Sequence, residues 1–580
     1  MMTNLYHDPV VDATLVSLNE LELRLRLPAE VTSVRLLYWN KYKTEEYGVR
    51  NQSMTLWAES DNFKYYRTIL TGMESRIRYL QYTFEFEMKG ESHWLNAEGL
   101  QKSNGSKGSY SYSYAGDRDI VGSPDWITNR VWYQIFPERF CNGDQKNDPA
   151  NTEPWGSVPT RDNYMGGDLQ GIIQRLDYLS ELGINALYLN PIFTATSNHK
   201  YDTVNYFDID PSFGTVADLH ELVAKCHERD IKVVLDLVIN HCGFYHPFFQ
   251  DVVKKGKASG YSDWFYVNRY PVERSENDYD SVGYYQWMPK LRTSNPEVQQ
   301  YIYDIVSFWQ KETDIDGWRI DVADEVEISF LRELKSYVRR LNPNAIIIAE
   351  IWDDAKRLMM WGGVDSAMNY DLRNIMFDYV LDRSITLEQF HARLVKLANR
   401  YSLAELHQMF NLLGSHDTER ILTRCKEDKT KLQQLLAIQY VFPGNPTVYY
   451  GDELGMIGEN DPGCRGSMSW DNLEDSESAA RAFFKEHQSW ISRKVTNPVL
   501  QSGSLELKYK QGSDCYVIRR HNATEDVILL MNFSEDRQNL SSVMSQLELN
   551  GNYSIYGEEH LGQLPEVIEP GQYITIQTVQ

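Results

Sequence analysis

Cysteine is scarce in this sequence: six residues in 580, at positions 141, 226, 242, 425, 464 and 515, with no C-x-x-C pair among them. Such scattering argues against a disulfide framework and a thiolate zinc site, and it fits reduced thiols in a cytoplasmic protein. Basic charge is in deficit, with 58 Lys and Arg against 82 Asp and Glu, a net charge of −24. A nucleic-acid binder normally carries a basic patch or stripe, so no nucleic-acid partner is expected. Long apolar runs are missing too, since no stretch approaches the roughly 18 residues that span a bilayer. No Lys or Arg precedes Arg24, and the N-terminal stretch has no sustained apolar core. Neither a membrane partner nor a signal peptide is expected. What remains is a globular mixture, 42% hydrophobic and 24% charged. At roughly 150 residues per domain its length suits three or four domains.

The first 120 residues read as β structure. Leu21–Leu27 (LELRLRL) alternates with period two, as a half-buried strand does. Val31–Trp39, Tyr66–Leu70 and Arg76–Met88 continue the pattern, and the polar stretch Ser103–Ser113 (SNGSKGSYSYS) reads as a linker. Eight short apolar runs then follow: Val131–Pro137, Asn185–Asn190, Lys232–Asn240, Gly317–Asp321, Ala345–Glu350, Ala367–Tyr370, Met409–Leu413 and Thr447–Tyr450. Helical spacing fills Asp168–Leu182, Thr215–Glu228, Pro296–Lys311, Ile328–Leu341 and Leu387–Ala398. Continuous apolar runs between helices are the mark of buried parallel strands. The pattern predicts an α/β fold, a (β/α)₈ TIM barrel over 123–500, with a doubly wound open sheet as the alternative. Over 50 residues rich in Tyr, Phe, Asp and Gly separate Asn240 from Pro296, which predicts an inserted subdomain (241–296) after strand 3. Alternation returns in Leu505–Lys510, Cys515–His521, Asp526–Phe533 and Tyr573–Thr578. The flanking regions 1–122 and 501–580 are expected to be all-β sandwich domains.

Catalytic groups of a TIM barrel lie at the C-terminal ends of its strands. Here those ends carry Asp236, His241, Arg319, Asp321, Glu350, His416 and Asp417. A lone Asp at such a place more often caps the next helix; seven polar groups at one barrel mouth make a site. Carboxylates with Arg and His suggest glycosyl chemistry, which in its retaining form needs a nucleophile and an acid/base about 5 Å apart. Asp321 and Glu350 end consecutive strands. Arg319 shares the parity of Asp321, so its guanidinium can hold that carboxylate ionised. Glu350 must start protonated, and the charge of Asp321 would raise its pKa. Of the aromatics in the insert, Phe244, Tyr245, Phe248, Phe249, Trp264, Phe265 and Trp287, about two-thirds are expected to serve packing. Trp352 shares the parity of Glu350 two residues earlier and is the better sugar-stacking residue.

DLVINH (236–241), GWRIDVADE (317–325), IIAEIW (347–352) and LLGSHD (412–417) occur in order on successive predicted strands. They resemble the four principal conserved regions of the α-amylase superfamily, glycoside hydrolase family 13, and the resemblance covers essentially the whole chain. It implies nucleophile Asp321, acid/base Glu350 and transition-state stabiliser Asp417. It also implies that Arg319 positions the nucleophile and that His241 and His416 bind the sugar on the nonreducing side of the scissile bond. Tyr201, in NHKYDT (198–203), would stack on that sugar, and Asp236 would support the floor of the site. MPKL (288–291), WYQIFPERFCNGD (132–144) and GDELGMIGENDPGCRG (451–466) are similar to the neopullulanase, cyclomaltodextrinase and maltogenic amylase group. In that group the N-terminal domain resembles a starch-binding module, usually mediates dimerisation and lies over the barrel mouth of the second copy. Glu325 is carried over as a substrate-binding residue. Asp324 departs from the pattern, which usually has Asn there, and adds a negative charge on the acceptor side.

NGDQKND (142–148) places oxygen-bearing residues at short spacing. That suits Ca²⁺, a hard cation wanting six to eight oxygens, and equally suits an Asx turn. The resemblance favours calcium and maps its ligands to Asn142, Asp144, Asn147, Asp148, the Gly166 carbonyl and Asp168. A second calcium at Asn240 is not expected, because Ala323-Asp324 replaces the Lys-His pair that accompanies it in amylases. The expected protein is thus a cytoplasmic homodimer without an organic cofactor. It would be a retaining hydrolase of α-1,4 bonds in cyclodextrins, pullulan and maltooligosaccharides, with transglycosylation and minor α-1,6 activity alongside. A glucanotransferase shares every catalytic residue and stays open as an alternative. A non-catalytic glucan-binding or transporter-associated homologue would have lost the carboxylates.

Overall fold

A computed structural model describes residues 5–103, 108–360, 362–473, 475, 477–509, 512, 514–549, 551–556 and 564–578. Eight parallel strands form the centre: β1 Trp132–Ile135, β2 Ala186–Leu189, β3 Lys232–Leu237, β4 Gly317–Ile320, β5 Ile346–Ala349, β6 Ser366–Ala367, β7 Phe410–Leu412 and β8 Asn445–Tyr449. Neighbours pair in the order β6-β5-β4-β3-β2-β1-β8-β7. The ring closes where Met368, just past β6, bridges Phe410 of β7, with the Asn369 amide donating to the Phe410 carbonyl at 2.9 Å. Six of the eight apolar runs in the sequence contain one of these strands, and the other two overlap theirs, β8 beginning two residues before Thr447. The sixth is shorter than expected: Ala367–Tyr370 contributes only its first residue to β6, and Asn369 caps a helix that begins at Tyr370.

Barrel strands are largely apolar because the inner face packs on itself and the outer face packs on helices. Trp132, Tyr188, Val234, Ile346, Ile348, Phe410 and Leu412 form one buried cluster of this kind. The helices begin where capping chemistry allows. Thr215 and Asp218 form a capping box on Val216–His227, and Asn295 with Pro296 starts Pro296–Thr313. The expected single helix over Asp168–Leu182 is two, Leu169–Gln174 and Leu176–Leu182, separated at Arg175.

The insert after β3 carries a helix, Pro247–Lys255, and returns to the barrel through bridges of Lys290 to His241 and Leu291 to Phe265. Phe249, Trp264 and Phe265 are buried and Phe244 and Phe248 pack partly against them, leaving Tyr245 and Trp287 exposed. The C-terminal domain is a five-stranded antiparallel sheet, Ser504–Tyr509, Cys515–His521, Asp526–Asn532, Tyr573–Thr578 and Tyr553–Ile555, packed against the helix Leu540–Gln546. All six cysteines are buried, and Cys141, Cys226, Cys242, Cys425 and Cys464 are free thiols. Among the described residues no helix is long and apolar enough to cross a membrane.

Two sheets make up the N-terminal domain, and here two expectations need correction. Ser103–Ser113 is not a free linker: Tyr110–Tyr114 is a strand paired with Arg78–Met88, and residues 104–107 lie outside the described set. The true connection is tied down, with Val121 N donating to Leu15 O and Arg339 Nη2 to Gly122 O. Nor is the polar face of Glu20–Pro28 wet. Glu22 and Arg24 are 1% and 0% exposed, because that face docks on the barrel, where the Leu403 amide donates to Glu22 Oε2 at 2.9 Å. Trp57 and Tyr65 join the buried cluster of the barrel, and the Arg67 guanidinium lies over the Trp57 ring at 5.0 Å. Trp57→Ala is therefore expected to cost about 3–5 kcal/mol, as deletion of a buried large aromatic does. Calorimetry should show a lowered transition that includes the barrel; a shift confined to a separate N-terminal transition would mean the two units are not packed together.

Candidate active site

Sheet register builds the site. Asp236 on β3 lies beside Arg319 on β4, and Ile348 on β5 lies on the other side of Arg319. Asp321 and Glu350 follow their strands directly, so all four polar side chains project toward one mouth. Arg319 is 1% exposed and serves three carboxylates. Its Nη1 donates to Asp236 Oδ1 and Oδ2 at 3.0 and 2.9 Å and to Asp321 Oδ1 at 2.8 Å, and its Nη2 lies 3.0 Å from Glu350 Oε2. Burial alone would lower the pKa of the guanidinium. The charges of Asp236 and Glu350 outweigh burial and hold it well above the usual value.

Three carboxylates around one cation leave excess negative charge. Asp321 bears it: burial first and the Glu350 charge second raise its pKa well above the ordinary value, against the pull of Arg319. Asp321 therefore binds a proton more readily than a free carboxyl does.

Glu350 has its own setting. Its Oε2 accepts from the Val322 amide at 2.9 Å and its Oε1 from the Trp352 indole at 3.1 Å. Val322 has a φ of +46°, a left-handed conformation that a β-branched residue adopts only under strain. The backbone turns there straight after Asp321 and aims an N–H at the other carboxyl. Trp352 also stacks on Tyr370, with ring centroids 4.1 Å apart.

His416 and Tyr201 close the floor. The Gln134 amide donates to His416 Nδ1 at 2.8 Å, which puts the ring proton on Nε2, 2.7 Å from the Tyr201 hydroxyl and 3.1 Å from Asp417 Oδ2. Burial, then the charges of Arg465 and Arg319, push the His416 pKa far down and keep the ring neutral. Tyr201 donates to Asp236 Oδ2 at 2.9 Å and accepts from Asn190, while its ring lies parallel to His416 at 5.4 Å. Asp417, with a side chain 30% exposed, accepts from Arg465 at 3.3 Å, and burial raises its pKa. His241 is buried with both ring nitrogens unpartnered, 3.9 Å from Asp321 at the nearest, and burial lowers its pKa to about 3. Its neutral ring is free to bond a hydroxyl.

The structure thus brings together Tyr201, Asp236, His241, Arg319, Asp321, Glu350, Trp352, His416 and Asp417. Glu325 stands apart at the rim, clamped by Asn240 Nδ2 at 3.1 Å and by Lys290 Nζ at 3.0 Å. The same ammonium bonds Asn240 Oδ1 and the Glu325 carbonyl, so a lysine supplies the cation there. Two cavities flank the Glu350 loop. One of about 320 Å³ is lined by Trp352, Asn374, Phe377, Asp417 and Asn460; the other, about 450 Å³, by Asp324, Glu325, Ile351 and Arg357. A π-helical turn, Phe377–Leu381, walls the first. Gln134, Asn190, Tyr188 and Lys290 were not singled out in the sequence; all are ordinary strand or loop residues in type, and only the three-dimensional contacts give them a role.

The proposed calcium loop lies elsewhere, after β1. Asn142 Oδ1 and Asn147 Oδ1 are buried without a partner, and the charges of Asp168 and Asp144 add to burial in raising the pKa of Asp148. Gly166, at φ +80°, leaves no room for a Cβ, which would fall 2.3 Å from Asp148 Oδ1. Both oxygens of Asp168 accept N–H groups, from Gly143, Gly171, Asp144 and Asn147, and it caps Leu169–Gln174. Orphaned amide oxygens beside carboxylates fit a hard cation. Among the described residues no three His, Cys, Asp or Glu side chains converge on one point, so amide and carbonyl oxygens would have to complete the shell.

A closed barrel with paired carboxyl groups at its C-terminal mouth, one of them bonded to a guanidinium, is the architecture of a glycoside hydrolase. Family models agree: residues 134–497 match the alpha amylase catalytic domain and residues 1–115 the alpha amylase N-terminal Ig-like domain. The chain belongs to the α-amylase family. It is 39% identical over 527 residues to a cyclomaltodextrinase of Thermoanaerobacter pseudethanolicus, covering 90% of each chain. It is 39% identical over 476 residues to neopullulanase 2 of Thermoactinomyces vulgaris, covering 81% of each. A solved cyclomaltodextrinase structure superposes with a TM-score of 0.90 at 33% identity over the full length of both chains.

The raised pKa of Asp321 has a consequence for stability. A carboxyl whose folded pKa exceeds its unfolded value, about 3.9, favours the unfolded state increasingly as pH rises. Asp321→Asn should lose several orders of magnitude in kcat yet melt above the wild type at pH 7, the gap closing as pH falls toward 4. Thermal melts across pH check this; an Asn variant less stable at every pH would contradict the charge balance described.

Proposed function

We propose that the enzyme hydrolyses α-1,4-glucosidic bonds in cyclodextrins, pullulan and maltooligosaccharides with retention of configuration. Glu350 protonates the glycosidic oxygen as Asp321 attacks C1, giving a β-glycosyl-enzyme. Water deprotonated by Glu350 then releases the α product. Asp417, with His416 and the open ring nitrogens of His241, binds the sugar hydroxyls, and Tyr201 stacks beside them. The observation that carries this reading is the pair Asp321 and Glu350 on adjacent nitrogens of one guanidinium, a closeness that suits direct attack better than an intervening water. The relatives named cyclomaltodextrinase and neopullulanase support the substrate class. The cavities on either side of Trp352 leave room for acceptor sugars, so transglycosylation and minor α-1,6 cleavage belong to the same reading.

Three further parts belong to this reading. Ca²⁺ is held by Asn142, Asp144, Asn147, Asp148, the Gly166 carbonyl and Asp168 and is structural, since this site touches no catalytic carboxylate. The protein is a homodimer whose N-terminal domain narrows the barrel mouth of the second copy, a role that the fixed docking of that domain favours over a tethered one. It works in the cytoplasm, consistent with the free thiols of Cys141, Cys226, Cys242, Cys425 and Cys464.

Proton NMR of β-cyclodextrin hydrolysis should show the α anomer first, and chromatography should rank β-cyclodextrin, pullulan and maltotriose above starch; an initial β anomer would overturn the retaining mechanism. Chelation should lower the melting temperature more than low-temperature activity, whereas immediate inactivation with unchanged melting would contradict a structural metal. Sedimentation should give a dimer at micromolar concentration; a monomer there would remove the lid.

A further inference from the structure

Six charged side chains are buried where the N-terminal domain meets the barrel: Asp12, Glu22, Arg24 and Arg67 on one side, Lys356 and Glu405 on the other, none more than 9% exposed. Glu22 Oε1 lies 3.2 Å from Arg24 Nη1 and 3.1 Å from Arg67 Nε, and Arg24 Nε is 3.7 Å from Asp12. From this cluster two arms reach the turn between the helices Leu387–Arg400 and Leu403–Gln408. Glu22 accepts from the Leu403 amide at 2.9 Å, and Arg67 Nη2 donates to the Ala398 carbonyl at 3.0 Å.

The same turn grips the segment that follows Glu350. The Tyr401 hydroxyl accepts from the Ala355 amide at 3.1 Å and donates to Asp354 Oδ1 at 3.2 Å. Glu405, fixed by the Ser402 amide at 2.6 Å, takes Lys356 Nζ at 2.9 and 2.7 Å. Residues 354–356 are therefore held at three successive points, four residues after Glu350 and two after Trp352, whose indole donates to Glu350. A buried ion pair is a poor source of net stability, because desolvation offsets its attraction, but its geometry is directional.

We propose that this inter-domain charge network, through the Lys356–Glu405 pair, positions the Glu350 loop for proton donation to the leaving group. Lys356 is a positioning residue, and the N-terminal domain acts on catalysis within its own subunit as well as at the mouth of a second one. The inference rests on Glu350 being the acid, and leaving-group dependence separates the two ideas. Departure of fluoride from α-maltosyl fluoride needs little help from an acid; departure of a sugar from maltotriose needs it fully.

The experiment compares kcat/KM for both substrates, which reports the first irreversible step, in the full-length chain. Lys356→Met should lose about tenfold or more on maltotriose, part of the 10²–10⁴ that a general acid supplies, and about twofold or less on the fluoride. Lys356→Arg should regain most of the loss. Glu22→Gln should show the same split in smaller degree. If Lys356→Met folds poorly, the double variant Lys356→Met/Glu405→Gln removes both buried charges and should keep the split. Equal losses on both substrates, or none on either, overturn the proposal, and a split in Lys356→Met without one in Glu22→Gln overturns the part of the N-terminal domain. Glu350→Gln is the control: if it shows no split, the acid assignment itself is wrong.

Discussion

One guanidinium carries the site. Arg319 sits at the centre of a buried arrangement in which Asp236, Asp321 and Glu350 all reach it within 3.0 Å. Without it, three carboxylates could not share so small a space, since an unpaired buried charge costs several kcal/mol. With it, the balance is still negative, and that surplus adds to burial in raising the proton affinity of Asp321. Nearly every other group nearby answers to the same constraint. Tyr188 and Tyr201 both donate to Asp236 Oδ2, Val322 bends into a strained conformation to bring its N–H to Glu350, and His416 stays neutral beside Arg319 and Arg465.

The barrel makes that arrangement possible by register. Asp236 and Arg319 are direct neighbours on adjacent parallel strands, so their approach follows from strand pairing and needs no loop. Loops supply what must meet a substrate: Trp352 and the turn after Glu350, Asp417 after β7, Tyr201 after β2. Rigid groups thus set the charge balance while the sugar-facing groups sit on segments braced from outside. For the Glu350 loop, the brace extends through Tyr401 and Glu405 to Glu22 and Arg67 of the N-terminal domain.

Much of this was legible in the sequence, for physical reasons that also explain the failures. Buried parallel strands are apolar on both faces, so the runs around β1 to β8 stand out, and the chemistry at their ends is confined to a few residue types. Alternation was misleading where it meant something other than a solvent face. Glu22 and Arg24 look like the wet positions of a half-buried strand, yet the strand docks on another domain and their charges are answered there. Ser111 and Ser113 look like linker residues, yet Tyr110 is buried and pairs in register with Tyr82. Gln134 and Lys290 lie inside motifs that mark the family and Asn190 ends an apolar run, but the role of each exists only in contacts between segments far apart in the chain. The raised pKa of Asp321 likewise depends on depth of burial, which residue spacing does not reveal.

The central claim is that Asp321 attacks the anomeric carbon while held on Arg319, with Glu350 as the acid. A 5-fluoro-α-maltosyl fluoride reacts at its good leaving group and then turns over slowly, so the covalent enzyme accumulates. Peptide mapping by mass spectrometry should place the sugar on Asp321, in an ester that is absent from Asp321→Asn. Labelling of Glu350 or Asp417, or no covalent species while the fluoride is consumed, would contradict the account.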